Sequence, residues 1–93
     1  MDFQVKKAEN CFANAENYEY LTALTGADFI TRLSSLGASI RINEQLRRPT
    51  FFAELASGIR IKGLLARNVL KVGYRPEEAI KQKVSFEAWL QSL

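Results

Sequence analysis

Hydrophobic residues recur at intervals of three and four in the first third of the chain. Between residues 8 and 24 the spaced apolar positions are Ala8, Cys11, Phe12, Ala15, Tyr18 and Leu21. This period places the side chains on one face of a helix. The pattern therefore predicts a first helix over residues 8–24.

A helix start signal follows at Thr25, whose hydroxyl can accept a hydrogen bond from the amide of Asp28. Apolar residues at helical spacing come next, and Gly37 stands where a helix often ends in the left-handed conformation. We predict a second helix between Thr25 and Gly37. The pattern leaves open whether the two segments form one helix kinked at Gly26.

After Gly37 the period becomes alternating, as in strands. The alternating apolar sets are Ile40 and Ile42, then Phe51, Ala53 and Leu55, then Ile59 and Ile61, then Leu70, Val72 and Tyr74. Turn chemistry lies between them at residues 46–49 and 56–58, with a bend over 66–68. We predict an antiparallel meander of three or four strands.

Pro76 and the two carboxylates after it predict a helix start. Two apolar stripes then lie on nearly opposite sides of the helical wheel. The first stripe is Ile80, Val84 and Ala88, and the second is Phe86, Trp89, Leu90 and Leu93. A break near Val84, with Ser85 as a new N-cap, lets both stripes be buried. We therefore expect a bent or two-piece C-terminal helix.

Together these elements predict an α+β fold with N-terminal helices, a three- or four-stranded antiparallel meander and a bent C-terminal helix. The length of 93 residues suits a single small domain over residues 1–93. With 47% hydrophobic and 25% charged residues, the composition is that of a globular protein.

The residue inventory argues against several classes of site. Cys11 is the only cysteine and there is no histidine, so we expect no metal site, no disulfide, no cofactor and no enzymatic activity. The N-terminus lacks the order of a signal peptide, and no long apolar run is present. We expect a cytoplasmic protein that makes no membrane contact.

Positive charge is concentrated in the middle of the chain. Residues 1–40 carry three basic and five acidic groups, and residues 76–93 carry two and three. Residues 41–75 carry only Glu44 and Glu54 against eight basic groups, which are Arg41, Arg47, Arg48, Arg60, Lys62, Arg67, Lys71 and Arg75. These eight are the candidate partner-binding residues. The strand phases place Arg41, Arg60, Lys62 and Lys71 on one exposed sheet face.

Each of these features also has a purely structural interpretation. The basic residues fit a solvated sheet face on which Lys and Arg prevent unwanted strand pairing. Arg47 and Arg48 before Pro49 form either a fork for a carboxylate or phosphate, or a soluble turn. The aromatic residues either stack on bases or pack in the core.

Three segments carry a family resemblance. They are residues 51–55 (Phe-Phe-Ala-Glu-Leu), 58–63 (Gly-Ile-Arg-Ile-Lys-Gly) and 73–80 (Gly-Tyr-Arg-Pro-Glu-Glu-Ala-Ile). Over residues 50–82 this order resembles the core of HicB-like antitoxins and of small phage or mobile-element proteins. The resemblance implies a non-enzymatic binder. Residues 83–93 do not supply the added DNA-binding segment that HicB proteins usually carry.

We therefore expect a small regulatory protein, antitoxin-like or a phage accessory protein, that inhibits or modulates a larger acidic protein or nucleoprotein through its basic sheet face. The alternative is a nucleic-acid-binding domain that uses the same residues. The sequence leaves a homodimer open.

Overall fold

Six strands and two α-helices make up the protein. The computed structural model describes residues 1–45 and 47–93. In chain order the elements are β1 (Phe3–Lys7), β2 (Glu16–Thr22), α1 (Gly26–Ser35), β3 (Ser39–Asn43), β4 (Thr50–Glu54), β5 (Arg60–Leu64), β6 (Val69–Tyr74), a 3-10 turn (Pro76–Glu78) and α2 (Ala79–Gln91). The predicted turn over residues 46–49 includes Leu46, which lies outside the described residues.

All six strands belong to one antiparallel sheet, in the order β1-β2-β6-β5-β4-β3. The β1–β2 hairpin forms one edge of this sheet. Helix α1 then carries the chain to the opposite edge, and β3 to β6 return as a meander until β6 pairs with β2. The first strand of the meander, β3, is therefore an edge strand, whereas its last strand, β6, is central.

Both helices pack against the same face of the sheet. The buried side chains of the strands on this face include Tyr20, Ile61 and Val72, and they form one core cluster with Phe29 of α1 and Phe86 of α2. Because side chains alternate along a strand, the residues between these positions point to the other face. We refer to that second face, which neither helix covers, as the open face.

A polar network crosses the core under α2. The Tyr74 hydroxyl donates to the Tyr20 oxygen at 2.6 Å, and the Tyr20 hydroxyl donates to Glu87 Oε2 at 2.8 Å. Lys83 Nζ lies 2.8 Å from the same carboxylate oxygen. Burial raises the pKa of Tyr20 and of Tyr74 far above the ordinary value, so both remain protonated. The network satisfies these buried hydroxyls and links β2 and β6 to α2.

The second predicted helix is confirmed as α1. Thr25 is its N-cap and forms a capping box with Asp28, and Gly37 follows the helix at φ 77°. The hydrogen bonds from the Thr25 backbone amide and hydroxyl lower the pKa of Asp28, because they stabilise its ionised form. These local interactions are those that the sequence indicated.

The predicted helix over residues 8–24 is wrong, and with it the fold class of N-terminal helices followed by a shorter meander. Residues 16–22 form β2, and Phe3–Lys7 form a further strand that the periodicity did not reveal. In β2 a second pattern decides the structure, because Tyr18, Tyr20 and Thr22 alternate toward the helices. Tyrosine and threonine favour strands, and pairing with β6 adds long-range hydrogen bonds.

The predicted break near Val84 is also wrong. Helix α2 is continuous, and the chain changes from 3-10 to α-helix earlier, at Glu78 and Ala79. Only one of the two apolar stripes is buried, since Ile80 and Val84 are 84% and 66% exposed. A break would lose backbone hydrogen bonds of the helix. The continuous helix keeps these bonds and leaves the two side chains in water. Among the described residues, no helix is long and apolar enough to cross a membrane.

Candidate binding face

A row of aligned residues crosses four strands on the open face. Arg41 of β3 is opposite Phe52 of β4, Phe52 is opposite Lys62 of β5, and Lys62 is opposite Lys71 of β6. We call these four residues the basic row. It continues onto Glu19 of β2 and Lys6 of β1. The register therefore places Arg41, Lys62 and Lys71 on one face, and Arg60 lies two residues from Lys62 on the same face.

Two lysines of the basic row lie directly opposite each other on adjacent strands. Lys62 and Lys71 are cross-strand partners, and like charges in that arrangement destabilise a sheet. Glu19 is the partner of Lys71 on its other side, but its carboxylate lies 3.2 Å from Lys6 Nζ instead. Within residues 1–45 and 47–93, Lys71 has no ion pair.

The loop between β1 and β2, residues 8–15, lies over part of the open face. Lys62 Nζ donates to the Cys11 carbonyl oxygen at 2.6 Å, and Arg60 donates to the Ala13 carbonyl oxygen at 2.7 Å. The centroid of the Phe12 ring is 4.8 Å from Lys62 Nζ and 5.2 Å from the Arg60 guanidinium carbon. Two of the predicted partner-binding cations thus already hold a segment of the chain itself.

Contacts of Phe12 with Asn17 and Gly73 also fix the loop. The Phe12 amide donates to Asn17 Oδ1 and the Asn17 side-chain amide donates to the Phe12 carbonyl, both at 3.1 Å. Phe12 packs on Gly73, where an added Cβ would come within 2.7 Å of the ring. Asn10 and Asn14 have φ values of 60° and 53°, a conformation that asparagine tolerates better than most residues. The loop therefore has a defined shape.

Two of the shallow grooves on the open face are lined by residues of the basic row. One has a volume of about 480 Å³ and includes Lys62, Arg67 and Lys71 in its lining. The other, of about 700 Å³, lies beside the β3–β4 connection and includes Arg41. Phe52 lines both grooves. The cations of the basic row thus face accessible space on either side of one aromatic ring.

The structure does not bring all eight candidate residues together. Arg47 and Arg48 are exposed in the β3–β4 connection. Arg67, in the β5–β6 turn, is at the same end of the sheet, because the Leu65 amide donates to the Pro49 carbonyl at 2.9 Å. Arg75 follows the far end of β6 and lies 3.7 Å from a carboxylate oxygen of Glu77. The binding role of these residues stays a prediction.

Aromatic side chains on the open face already have neighbours. The centroids of the Phe12 and Phe52 rings are 5.9 Å apart in an edge contact, and the Arg41 guanidinium carbon is 5.2 Å from the Phe52 centroid. Tyr20 and Phe86, in contrast, belong to the core on the other side of the sheet. Among the described residues of the strands, a stacking platform on this face would therefore rest on Phe52, whose ring is already in contact with Arg41.

Sequence reasoning did not identify three residues of this face. Phe12 and Asn17 position the loop, and Glu19 lines the groove. Asn10 and Asn14 were the signal that could have identified this loop, because asparagine is typical of turns and tolerates a positive φ.

No protein-family model, curated protein or solved structure matches this chain.

Proposed function

We propose that this protein is a small non-enzymatic binding protein that engages an acidic surface of a larger partner protein through its open face, and that it thereby modulates the partner. The exposed cations of that face, Arg41 and Lys71, are the residues that we expect to contact the partner. Arg67 contributes from the sheet end. Arg60 and Lys62 act mainly by holding the loop of residues 8–15.

The opposition of Lys62 and Lys71 is the observation that carries this proposal. A like-charge pair on adjacent strands costs roughly 0.2–1 kcal/mol, and no ion pair of Lys71 offsets this cost within residues 1–45 and 47–93. A carboxylate from a partner would remove the repulsion and gain charge-assisted hydrogen bonds. The nearby Glu19 does not perform this task, since it pairs with Lys6.

Single-stranded nucleic acid is the second candidate. It is favoured by Phe52, an aromatic ring in the middle of the basic row, because such rings stack on bases in nucleic-acid-binding sheets. We rank it second because Arg41 and Phe12 already contact that ring.

Affinity capture with matched charge reversals tests the proposal. The test variant is Arg41→Glu combined with Lys71→Glu, since neither residue holds the loop. The control is Arg32→Glu combined with Lys81→Glu, which makes the same charge change on exposed positions of the two helices. We expect a partner that wild type and control recover equally and that the test variant loses.

Equal recovery of every captured protein by the test and control variants would contradict the proposal. Fluorescence anisotropy with a mixed-sequence single-stranded oligonucleotide addresses the second candidate. Binding that weakens steeply with salt and disappears in the Arg41→Glu, Lys71→Glu variant would favour nucleic acid instead.

A further inference from the structure

The groove of about 480 Å³ lies beside the loop of residues 8–15, on the other side of Lys62. Its volume is within the range of sites that hold one small ligand or one large side chain. Leu64 and Val69 contribute apolar surface, and Phe52 stands at one side. The groove therefore combines apolar surface with charged side chains in its lining.

The charge around this groove is positive. Lys62, Arg67 and Lys71 line it together with a single carboxylate, that of Glu19, which Lys6 neutralises at 3.2 Å. A ligand that complements the groove has negative groups around an apolar body.

The protein's own loop shows how the open face holds a segment of chain. Carbonyl oxygens of Cys11 and Ala13 accept hydrogen bonds from two cations, Lys62 and Arg60, and both cations also contact the ring of Phe12. Oxygen atoms on either side of an aromatic side chain thus match this pair of cations. The groove also has a pair of cations in its lining, Lys62 and Lys71, which are opposed on adjacent strands β5 and β6.

We infer that the groove binds an extended acidic segment of the partner protein that carries an aromatic side chain. The aromatic ring enters the groove between Lys62 and Lys71, and flanking carboxylates bond Lys71 and Arg67. This inference rests on the proposed function and adds the chemistry of the bound segment.

A titration followed by ¹H–¹⁵N NMR tests the inference, with a short peptide of aspartates around one phenylalanine as the probe. We expect the amides of Gly63, Leu64 and Val69 to shift together. We also expect the Arg67→Glu, Lys71→Glu variant to bind about tenfold more weakly, and the Arg32→Glu, Lys81→Glu control to bind as wild type does. A peptide with serine in place of phenylalanine should bind about fivefold more weakly, because it lacks the cation–π contact.

Three results would overturn the inference. They are the absence of shifts at these amides at millimolar peptide, equal affinity for the serine peptide, and tighter binding of an oligothymidylate of equal charge at the same amides. The capture experiment separates this failure from that of the proposed function. If capture still depends on Arg41 and Lys71 while the peptide fails, only the inference about the aromatic segment falls.

Discussion

The Lys62 ammonium lies 2.6 Å from the carbonyl oxygen of Cys11, a residue 51 positions earlier in the chain. This hydrogen bond fixes the loop of residues 8–15 against the open face. It also divides the basic residues into two groups. Lys62 and Arg60 hold the loop, whereas Lys71 and Arg41 are left to face solvent.

Lys62→Met should release the loop, because the Cys11 carbonyl then loses its charged donor. We expect a loss of about 1 kcal/mol in the free energy of unfolding, since the bond is only partly buried. Cys11, the only cysteine, reports the change directly, and its thiol should react several-fold faster with a disulfide reagent. Lys71→Met is the control and should leave thiol reactivity unchanged. Unchanged reactivity in Lys62→Met would show that the loop is held by other contacts.

Lys71→Gln should weaken binding at little cost to the fold. The substitution removes the like-charge pair with Lys62 but also the opposite charge across from Glu19, so urea unfolding should change by less than about 0.5 kcal/mol. Most substitutions destabilise a protein by roughly 0.5–3 kcal/mol, so an unchanged stability is informative. A loss of stability would show that Lys71 serves the fold.

Alkaline pH should destabilise the protein through Tyr20 and Tyr74. In the unfolded chain both hydroxyls ionise near pH 10, whereas burial raises their pKa in the folded protein. The unfolded state therefore binds fewer protons above this pH, and stability, fully present below it, falls as pH rises. Each tyrosine contributes up to about 1.4 kcal/mol per pH unit.

Urea unfolding between about pH 8 and pH 11 measures this slope. Tyr20→Phe should reduce the slope by about half, because one of the two ionisations is removed. At neutral pH the same variant should lose about 1–2 kcal/mol, since the Tyr74 hydroxyl loses its acceptor. An unaltered alkaline slope in Tyr20→Phe would exclude the tyrosine pair as its source.

Local signals predicted α1 correctly and failed on β1 and β2. The capping box at Thr25 and Asp28 is contained within four residues, so the sequence displays it directly. Strand β2 gains its stability from pairing with β6, and the paired residues are 48 to 58 positions apart in the chain. Cys11, Phe12 and Ala15 recur at helical spacing, but they lie in the loop that covers the sheet. The spacing alone does not distinguish a helix from such a loop.

The candidate site shows the same limit. Alternation alone placed Arg41, Arg60, Lys62 and Lys71 in the polar phase of their strands, and the register has them on one face. The alternation could not reveal that Arg60 and Lys62 hold the loop, because their acceptors are 47 and 51 residues away in sequence. Long-range contacts decide which cations are free.

Ser85→Ala distinguishes the continuous α2 from a helix broken at Val84. Within a continuous helix alanine is the better helix former, so we expect a gain of up to about 0.5 kcal/mol in urea unfolding. If Ser85 capped a second helix, the same substitution would cost about 1 kcal/mol. Ile80→Lys should change stability by less than about 0.5 kcal/mol, because that side chain is 84% exposed.

The face that contacts the partner can be read from ¹H–¹⁵N NMR spectra of the protein with and without the captured partner. We expect the largest changes in amide shift and intensity along the basic row, at Arg41, Phe52, Lys62 and Lys71, with little change along α1 and α2. Changes confined to the exposed positions of the two helices, with the basic row unaffected, would contradict a binding role for the open face.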